Sequence, residues 1–363
     1  MERRRLLLAG IAGLAAPAIA QARRPRVAFI NPGEAADRGA GPYWPLVARA
    51  MTRGADSLGL DLEVLYGERD HLLMLKQAEE LSRRPQAPDF VVLVNEKLVA
   101  PTIMRMFAGS PSKLLLIHND LTPEQRREFG NERESFGNWI GTITTEAGRG
   151  AWLAMEWLYQ RMGTREPRII AITGDPQTPV SRERADAVYD YVQKAGRGRV
   201  LQLVYGDWTY RDGEQKASVL LARYPDANVI WANNDSMALG ALRAVKARGA
   251  SVLVVGGGGW PDALESIARG ELAACDAGNF MVGAWVAVLA HDYAHGHDFA
   301  ADGPVSLTFD RIVVHRQNVQ RYDRVIMKGL DSLDLKRYSK VLYPRPGPYR
   351  FSLADLVDGT GAR

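Results

Sequence analysis

Cysteine is almost absent from this 363-residue sequence, which contains only Cys275. No disulfide can form within one chain, so the fold does not depend on bridges; large domains in oxidising compartments also fold without them. Neither G-x-S-x-G nor H-E-x-x-H occurs, and Cys275 has no histidine near it in the sequence. The sequence therefore offers no residues for the common hydrolase mechanisms, and we predict that the protein is not an enzyme.

Strong charge of one sign is also lacking. Lysine and arginine number 46 against 42 acidic residues, which gives a formal net charge of +4, and no basic tract stands out. Nucleic acids and anionic membrane surfaces are bound by concentrated positive charge. We therefore expect neither of them as a partner.

Long hydrophobic runs are missing too, and the one near the amino terminus is short. Residues 3–5 are all arginine, an apolar run covers residues 6–19, and small residues follow up to Ala20 and Ala22. This order is typical of a secretory signal peptide, and the run is shorter than the ~20 residues of a membrane span. We predict a signal peptide over residues 1–22. The arginines also fit a loose twin-arginine pattern, so Sec and twin-arginine export both stay open. No cysteine sits at the boundary of the signal peptide, which predicts a periplasmic protein without a lipid anchor.

Beyond this segment, short apolar runs alternate with longer amphipathic stretches. Continuous apolar strands that alternate with helices indicate a parallel sheet covered on both faces. The strands are too many for one compact sheet and fall into two similar series. The sequence therefore predicts an α/β fold with two doubly wound parallel-sheet lobes. The strand candidates are residues 26–31, 62–66, 90–94, 113–118, 168–173, 200–205, 228–233, 251–256 and 272–275.

The residues just past these strands are rich in amide, carboxylate, guanidinium and indole groups. In doubly wound sheets, ligands bind beyond the carboxyl ends of the strands. Carboxylates and amides form hydrogen bonds with hydroxyl groups, and indole faces stack on C–H surfaces. These positions predict a cleft for a small polar, sugar-like ligand.

The segment WANNDSMALGALRA, which begins at Trp231, resembles the second-lobe strand and helix of the type I periplasmic binding proteins. This family includes ribose- and galactose-type sugar-binding proteins and the quorum-sensing autoinducer receptor. Its early aromatic matches Tyr43-Trp44, and its Ser-x-x-Arg turn matches Ser181 to Arg184. The similarity is colinear from about residue 26 to about residue 314, most of the exported chain.

The resemblance implies which side chains reach the ligand. Arg184 matches an arginine that contacts ligand from the second lobe, and the pair that follows the strand at Trp231 matches an amide and an acid that bind ligand hydroxyls. Trp44 matches a stacking aromatic of the first lobe. The residues predicted on this basis to bind the ligand are Tyr43, Trp44, Asn119, Arg184, Trp208, Asn234, Asp235 and Asn279.

The sequence departs from the sugar-binding pattern at two strand ends. Where the family usually carries Gly-Phe-Asp-Gly, residues 256–259 are all glycine and Trp260 follows, so the carboxylate is missing. The autoinducer receptor also has a glycine-rich turn with an indole there. The usual Asp-Arg pair of the first lobe reads His118-Asn119. The resemblance therefore leaves the identity of the ligand open.

Each of these residues also has a structural interpretation. Arg184 could be a solvated charge on a helix face, and Trp44 could pack into the core. Asn234 and Asp235 could cap the helix that begins near Ser236, since both are preferred at that position. These alternatives stay open at the level of sequence.

Among His291, His295 and His297, two lie one helical turn apart, a spacing at which histidines can bind a metal ion. The three histidines are better explained by a helix carboxyl terminus, where imidazolium suits the helix dipole. The sequence therefore predicts no metal and no cofactor.

The resemblance and the strand count together predict how the chain divides. The expected parts are a first lobe of residues 23–144 and 279–303, a second lobe of residues 145–278 and 304–349, and a tail of residues 350–363. The three hinge crossings are expected near residues 142–145, Gly278 and Pro304. We expect a monomer that closes on its ligand and delivers it to the permease of an ABC importer in the inner membrane. The alternative partner is a membrane sensor histidine kinase, as for the autoinducer receptor.

Overall fold

The computed structural model describes residues 23–359. The predicted signal peptide and the last residues of the predicted tail lie outside this range. The strands of the described part are β1 (Arg26–Asn31), β2 (Asp61–Tyr66), β3 (Phe90–Leu93), β4 (Lys113–Ile117), β5 (Trp139–Thr144), β6 (Arg168–Thr173), β7 (Arg199–Tyr205), β8 (Val229–Ala232), β9 (Leu253–Gly258), β10 (Ala274–Ala277), β11 (Ser306–Thr308) and β12 (Ile312–His315).

The α-helices alternate with the strands over most of the chain. They are α1 (Tyr43–Leu58), α2 (His71–Ser82), α3 (Ala100–Met106), α4 (Pro123–Phe129), α5 (Ala147–Met162), α6 (Pro179–Ala195), α7 (Tyr210–Arg223), α8 (Asp235–Arg248), α9 (Pro261–Arg269), α10 (Val282–Ala294), α11 (Val319–Tyr322) and α12 (Leu353–Asp358). No helix among residues 23–359 is long and apolar enough to cross a membrane.

The strands form two six-stranded sheets, one in each lobe. The first has the order β11-β5-β4-β3-β1-β2 and the second β12-β10-β9-β8-β6-β7. All neighbours are parallel except β12, which runs antiparallel to β10. Buried apolar strands such as β3 and β6 carry helices on both faces. The predicted fold of two doubly wound parallel-sheet lobes is confirmed.

Helix α10 is apolar on every side, because it is enclosed rather than half-exposed. All of its residues from Val282 to Asp292 are buried, as expected for a helix that lacks a polar face. It packs closely on α1, where a Cβ added at Gly54 would lie 2.6 Å from the Ala287 Cβ. This close packing fixes the position of α1, the helix that begins at Tyr43.

The chain crosses between the lobes after β5, near Gly278 and between β11 and β12. The third crossing was predicted near Pro304, and that boundary is wrong. Strand β11 pairs with β5 of the first sheet from Ser306 to Thr308, so the crossing lies at residues 309–311. The strand has three residues and only Leu307 is buried, so its apolar pattern is too short to detect in the sequence.

The predicted assignment of all residues 304–349 to the second lobe is also wrong for the carboxyl-terminal part. The Arg49 side chain of α1 holds both carboxylate oxygens of Asp331, through Nε at 2.9 Å and Nη2 at 2.5 Å. Phe351 stacks on Trp285 of α10 with ring centroids 4.9 Å apart. We call residues 330–351 the C-terminal strap. The strap covers the first lobe because its aromatic residues bury the outer surface of α10.

One buried acid anchors the strap. Asp292 of α10 is fully buried and accepts hydrogen bonds from His291 Nδ1 (2.8 Å), the Lys340 backbone N–H (2.6 Å), Tyr349 Oη (2.6 Å) and Ser339 Oγ. Burial alone would raise the pKa of Asp292, but these donors hold it below its usual value. The carboxylate therefore stays charged and joins α10 to three residues of the strap.

Candidate ligand-binding cleft

The carboxyl ends of the two sheets face each other and enclose a cavity of about 180 Å³. This volume suits one small molecule. Residues of both lobes line it: Pro32, Gly33, Glu34, Asp37, Ala40, Gly41, Tyr43, Trp44, Pro45, Arg69, Glu96, Lys97 and His118 from the first, and Asp175, Thr178, Val180, Arg184, Trp208, Asn234, Gly257 and Trp260 from the second, with Asn279 at the crossing between them.

Six of the eight residues predicted to bind a ligand line this cavity. They are Tyr43, Trp44, Arg184, Trp208, Asn234 and Asn279. Asn119 and Asp235 do not line it. Positions more than two hundred residues apart in the sequence therefore converge on one space, as the strand-end rule for doubly wound sheets requires.

Aromatic rings form much of the cavity wall. The Tyr43 ring lies 4.9 Å from that of Trp44 and 6.4 Å from that of Trp260, measured between centroids. Trp208 adds a third indole, and its left-handed φ of 74° turns the side chain toward the cavity from the loop after β7. Indole and phenol rings give flat apolar surfaces on which the C–H face of a small ring can stack.

Tyr43 and His118 form a neutral hydrogen-bonded pair in this wall. Tyr43 Oη lies 2.7 Å from His118 Nδ1. Burial lowers the pKa of His118 well below its usual value, and the charges of Arg184 and Arg311 lower it further. Burial raises the pKa of Tyr43. The pair therefore offers polar atoms to a ligand without adding charge.

Arg184 projects into the cavity from helix α6 and is only 4% exposed. This burial excludes the alternative of a solvated charge on a helix face. One nitrogen, Nη1, donates to the backbone carbonyl oxygen (3.1 Å) and side-chain Oδ1 (2.9 Å) of Asn233. Burial and the neighbouring Arg311 lower the pKa of Arg184 to about 10. The guanidinium is thus charged and rigidly held.

Asn234 caps helix α8 and also lines the cavity, the two roles that its position in the sequence left open. Its Oδ1 accepts from the Met237 backbone N–H at 2.9 Å and so caps α8. Its Nδ2 donates to the Trp208 carbonyl oxygen at 2.8 Å, which fixes the loop that carries the indole. The residue lines the cavity and also positions a neighbouring wall residue.

Asp235 is placed differently from the prediction that it faces the cleft. It is fully buried, and its Oδ2 accepts from the backbone N–H groups of Gly259 (2.6 Å) and Trp260 (3.2 Å). The carboxylate turns away because these donors lie in the adjacent glycine turn. Asn119 is likewise 1% exposed and donates from Nδ2 to Glu96 Oε2 at 3.3 Å. Both residues support wall residues from behind.

Direct contacts join the lobes around the cavity. Thr178 Oγ1 donates to Glu96 Oε1 at 3.0 Å, Arg69 Nη2 donates to the Asp207 carbonyl oxygen at 2.6 Å, and Lys97 pairs with Asp175. Burial raises the pKa of Glu96, and the Thr178 hydroxyl lowers it in part. The strand-end rule, applied to the loop after β3, would have found Glu96 and Lys97.

Trp260 and Arg311 were not predicted as site residues. Trp260 is 3% exposed and caps the cavity after the glycine turn, and the indole in a glycine-rich turn was its only signal. Arg311 lies at the third crossing, 2.8 Å from Asp276. It was missed because the short strand before it gave no sign of where the chain crosses.

In the described part of the chain, no three histidine, cysteine, aspartate or glutamate side chains come close enough to hold a metal ion. The rings of His291 and His295 contact each other at a tilt, with centroids 4.3 Å apart, while His297 pairs with Asp302. These contacts account for the three histidines as parts of the α10 end.

A solved periplasmic sugar-binding protein from Pseudomonas fluorescens is 30% identical to this chain, with a TM-score of 0.82, over 92% of this chain and 99% of that one. The chain belongs to the type I periplasmic binding protein family. A family profile for the periplasmic binding protein domain matches residues 139–298.

Two curated relatives are binding proteins named for particular sugars. The ribose import binding protein of Haemophilus influenzae is 28% identical over 267 residues, which is 73% of this chain and 86% of the relative. The D-allose-binding periplasmic protein of Escherichia coli is 24% identical over 243 residues, 66% of this chain and 76% of the relative. The family resemblance inferred from the sequence motifs is confirmed by these comparisons.

Proposed function

We propose that this periplasmic binding protein captures one small, sugar-like molecule between its lobes and delivers it to an ABC importer. The observation that carries the proposal is the cavity itself. It is closed by both lobes, walled by indole rings and supplied with buried polar atoms that lack a partner within residues 23–359, namely Arg184 Nε and Nη2 and Asn279 Oδ1. Buried polar groups are normally hydrogen-bonded, so we infer that these atoms form hydrogen bonds with the ligand. Six predicted residues supply its contacts: Tyr43, Trp44, Arg184, Trp208, Asn234 and Asn279.

The cavity lies between two lobes that are joined by three chain crossings, so we propose that the lobes close on the ligand by bending at these crossings. A ligand that touches both lobes stabilises the closed form relative to the open one. The importer permease then recognises the closed protein. The contacts of Glu96 with Thr178 and of Lys97 with Asp175 add to the closed form alone, because they join opposite lobes.

The other candidate functions have less support. The relatives named above are sugar-binding or sugar-import proteins, and nothing in the structure favours the sensor-kinase partner. They are binding proteins rather than enzymes, and the cleft is accounted for by binding groups, so we propose that the protein catalyses no reaction. We also propose that it acts as a free monomer in the periplasm.

Calorimetry with the purified exported protein tests binding. The titrated compounds are D-ribose, D-allose, D-galactose, myo-inositol and the corresponding sugar acids. At least one should bind with one-to-one stoichiometry, and Trp44→Ala should weaken it by roughly tenfold or more, because a stacking surface is lost. Trp157→Ala, a change outside the cavity lining, serves as the matched control. If none of these compounds binds, the proposal is contradicted.

Delivery is tested by uptake of the compound that binds. Cells that lack the gene should take up the radiolabelled compound far more slowly than cells that carry it. If uptake is unchanged while binding is intact, the importer role is wrong and a signalling role is favoured.

A further inference from the structure

A buried arginine of the cavity wall, Arg184, is close enough to a second buried arginine, Arg311, for the charge of Arg311 to lower its pKa. Arg184 and Arg311 are each 4% exposed. Nε and Nη2 of Arg184 and all three nitrogens of Arg311 have no hydrogen-bond partner among the described residues, although Arg311 Nη2 lies 2.8 Å from Asp276 Oδ1 as an ion pair. A buried charge without a partner is costly. Only Arg184 of the two lines the cavity, so it is the one of the two that a bound molecule can contact.

The acidic side chains near Arg184 and Arg311 do not balance the positive charge of the two guanidinium groups. Asp276 Oδ1 lies 2.8 Å from Arg311 Nη2 and serves that arginine. Asp235 is turned to the backbone of Gly259 and Trp260, and burial raises its pKa to about 7, so it is partly protonated near neutral pH. Glu183, next to Arg184, is solvent-exposed. Within residues 23–359, Asp276 is therefore the one buried carboxylate that forms an ion pair with either of these guanidinium groups.

The acidic side chains that line the cavity also interact with other groups of the protein. Glu96 accepts from Thr178 and Asn119, and Asp175 pairs with Lys97. Asp37 Oδ1 accepts from two backbone N–H groups, and Glu34 lies 4.0 Å from Arg38. The free polar edge of Arg184 thus remains for the ligand.

The shape of that edge selects an anion with two oxygens. Nε and Nη2 point in parallel from one side of a guanidinium, and this fork matches both oxygens of a carboxylate. The protein shows the same geometry elsewhere, where Arg49 holds Asp331 through Nε and Nη2. In Arg184 the same two atoms have no hydrogen-bond partner in the described part of the chain, while Nη1 donates to Asn233.

The geometry points to a ligand that carries a carboxylate, a sugar acid or a similar small hydroxy acid, with the carboxylate on the Nε–Nη2 edge of Arg184. The body of the ligand then lies between the indoles of Trp44, Trp208 and Trp260. This inference rests on the proposed function and specifies the ligand class within it.

Matched pairs of compounds test the charge. Calorimetry compares D-galactose with D-galacturonate, D-glucose with D-gluconate and D-ribose with D-ribonate. In at least one pair the acid should bind ten times more tightly than the neutral sugar, or more. If the neutral sugar binds as tightly in every pair that shows binding, the carboxylate inference is overturned while the proposed function stands. Binding of no compound would contradict both.

Arg184→Gln identifies the residue responsible. The variant should lose the preference for the acid, with a drop of tenfold or more in affinity for the acid and a smaller one for the neutral sugar. Arg243→Gln removes an exposed arginine of the same lobe, which pairs with Glu214, and should leave the preference intact. Thermal melts without ligand verify that both variants are folded. A folded Arg184→Gln protein that still prefers the acid would overturn the assignment.

Discussion

Asp235 is a carboxylate that the fold uses to hold the glycine turn before Trp260. Burial raises its pKa to about 7, although the two backbone donors lower it in part. In an unfolded chain the pKa of an aspartate is about 3.9. The folded protein therefore binds this proton more tightly, and the resulting stabilisation is complete below about pH 4 and lost as the pH rises through about 7.

Asp235→Asn should remove this pH dependence. The free energy of unfolding of the wild type should fall relative to that of the variant between about pH 4 and pH 8, by on the order of a few kcal/mol. Urea unfolding of both proteins across this range measures the difference. Parallel curves would show that Asp235 titrates as it does in the unfolded chain.

At the scale of single residues, part of the site could be predicted and part could not. Arg184 and Trp44 follow from motif order and lie in the cavity wall. Asp235 matches the same motif but turns to the glycine turn, because its direction depends on the backbone donors of a loop more than twenty residues away. A sequence motif gives a position on an element, and the tertiary neighbours decide which side of it meets the ligand.

At the scale of elements, glycines at strand ends make room for the indoles. A Cβ added at Gly174, just past β6, would lie 2.0 Å from Trp208 Cζ2, and one at Gly33, past β1, 2.1 Å from Trp44 Cβ. Contacts this short cannot exist, so a side chain at either position must displace the ring. The strand ends therefore set the width of the cavity.

Gly174→Ala should weaken ligand binding roughly tenfold or more, since the Trp208 ring must move by more than an ångström to relieve the overlap. Calorimetry with the compound that binds measures the effect. Gly137→Ala is the matched control, because a Cβ there meets nothing within 4 Å. Equal affinity in both variants would mean that Trp208 does not shape the site.

The elements themselves were predicted unevenly, for a physical reason. Strand β6, RIIAIT, has β-branched residues at four of its six positions and was predicted with its observed limits. Strand β5, WIGTIT, was missed as a strand because a glycine and two threonines interrupt its apolar pattern. Gly141 is required there, since Phe299 packs so closely that an added Cβ would lie 2.8 Å from its ring.

At the scale of the whole molecule, the buried carboxylate of Asp292 joins the C-terminal strap to the first lobe. Asp292→Asn removes the charge and leaves donors of Ser339, Tyr349 and Lys340 poorly satisfied. We expect a loss of about 1–3 kcal/mol in unfolding free energy at neutral pH, with faster amide exchange in the strap. The pKa of Asp292 is lowered, so this stabilisation is present above the unfolded pKa and disappears as the pH falls below it.

Asp331→Asn is the control for this prediction. Asp331 also ties the strap to the first lobe, but its side chain is 65% exposed. Exposed ion pairs contribute about 0–1 kcal/mol. If both variants lose the same stability, Asp292 is not the anchor.

The two-lobed plan could be predicted from the alternation of strands and helices, whereas the path of the carboxyl-terminal part could not. Its short strands and turns carry little periodicity, and its partners, such as Trp285 and Arg49, lie far away in the sequence. Which lobe a segment covers is decided by contacts that no local pattern records.

The central claim is that the cleft holds one small polar molecule. The most direct measurement is mass spectrometry of what the purified protein retains from a polar metabolite extract, after washing and release by denaturation. The account predicts about one equivalent of a hydroxylated compound of monosaccharide size, absent from a protein with both Trp44→Ala and Arg184→Ala. Retention of nothing beyond what that variant holds, or of a large or apolar compound, would contradict it.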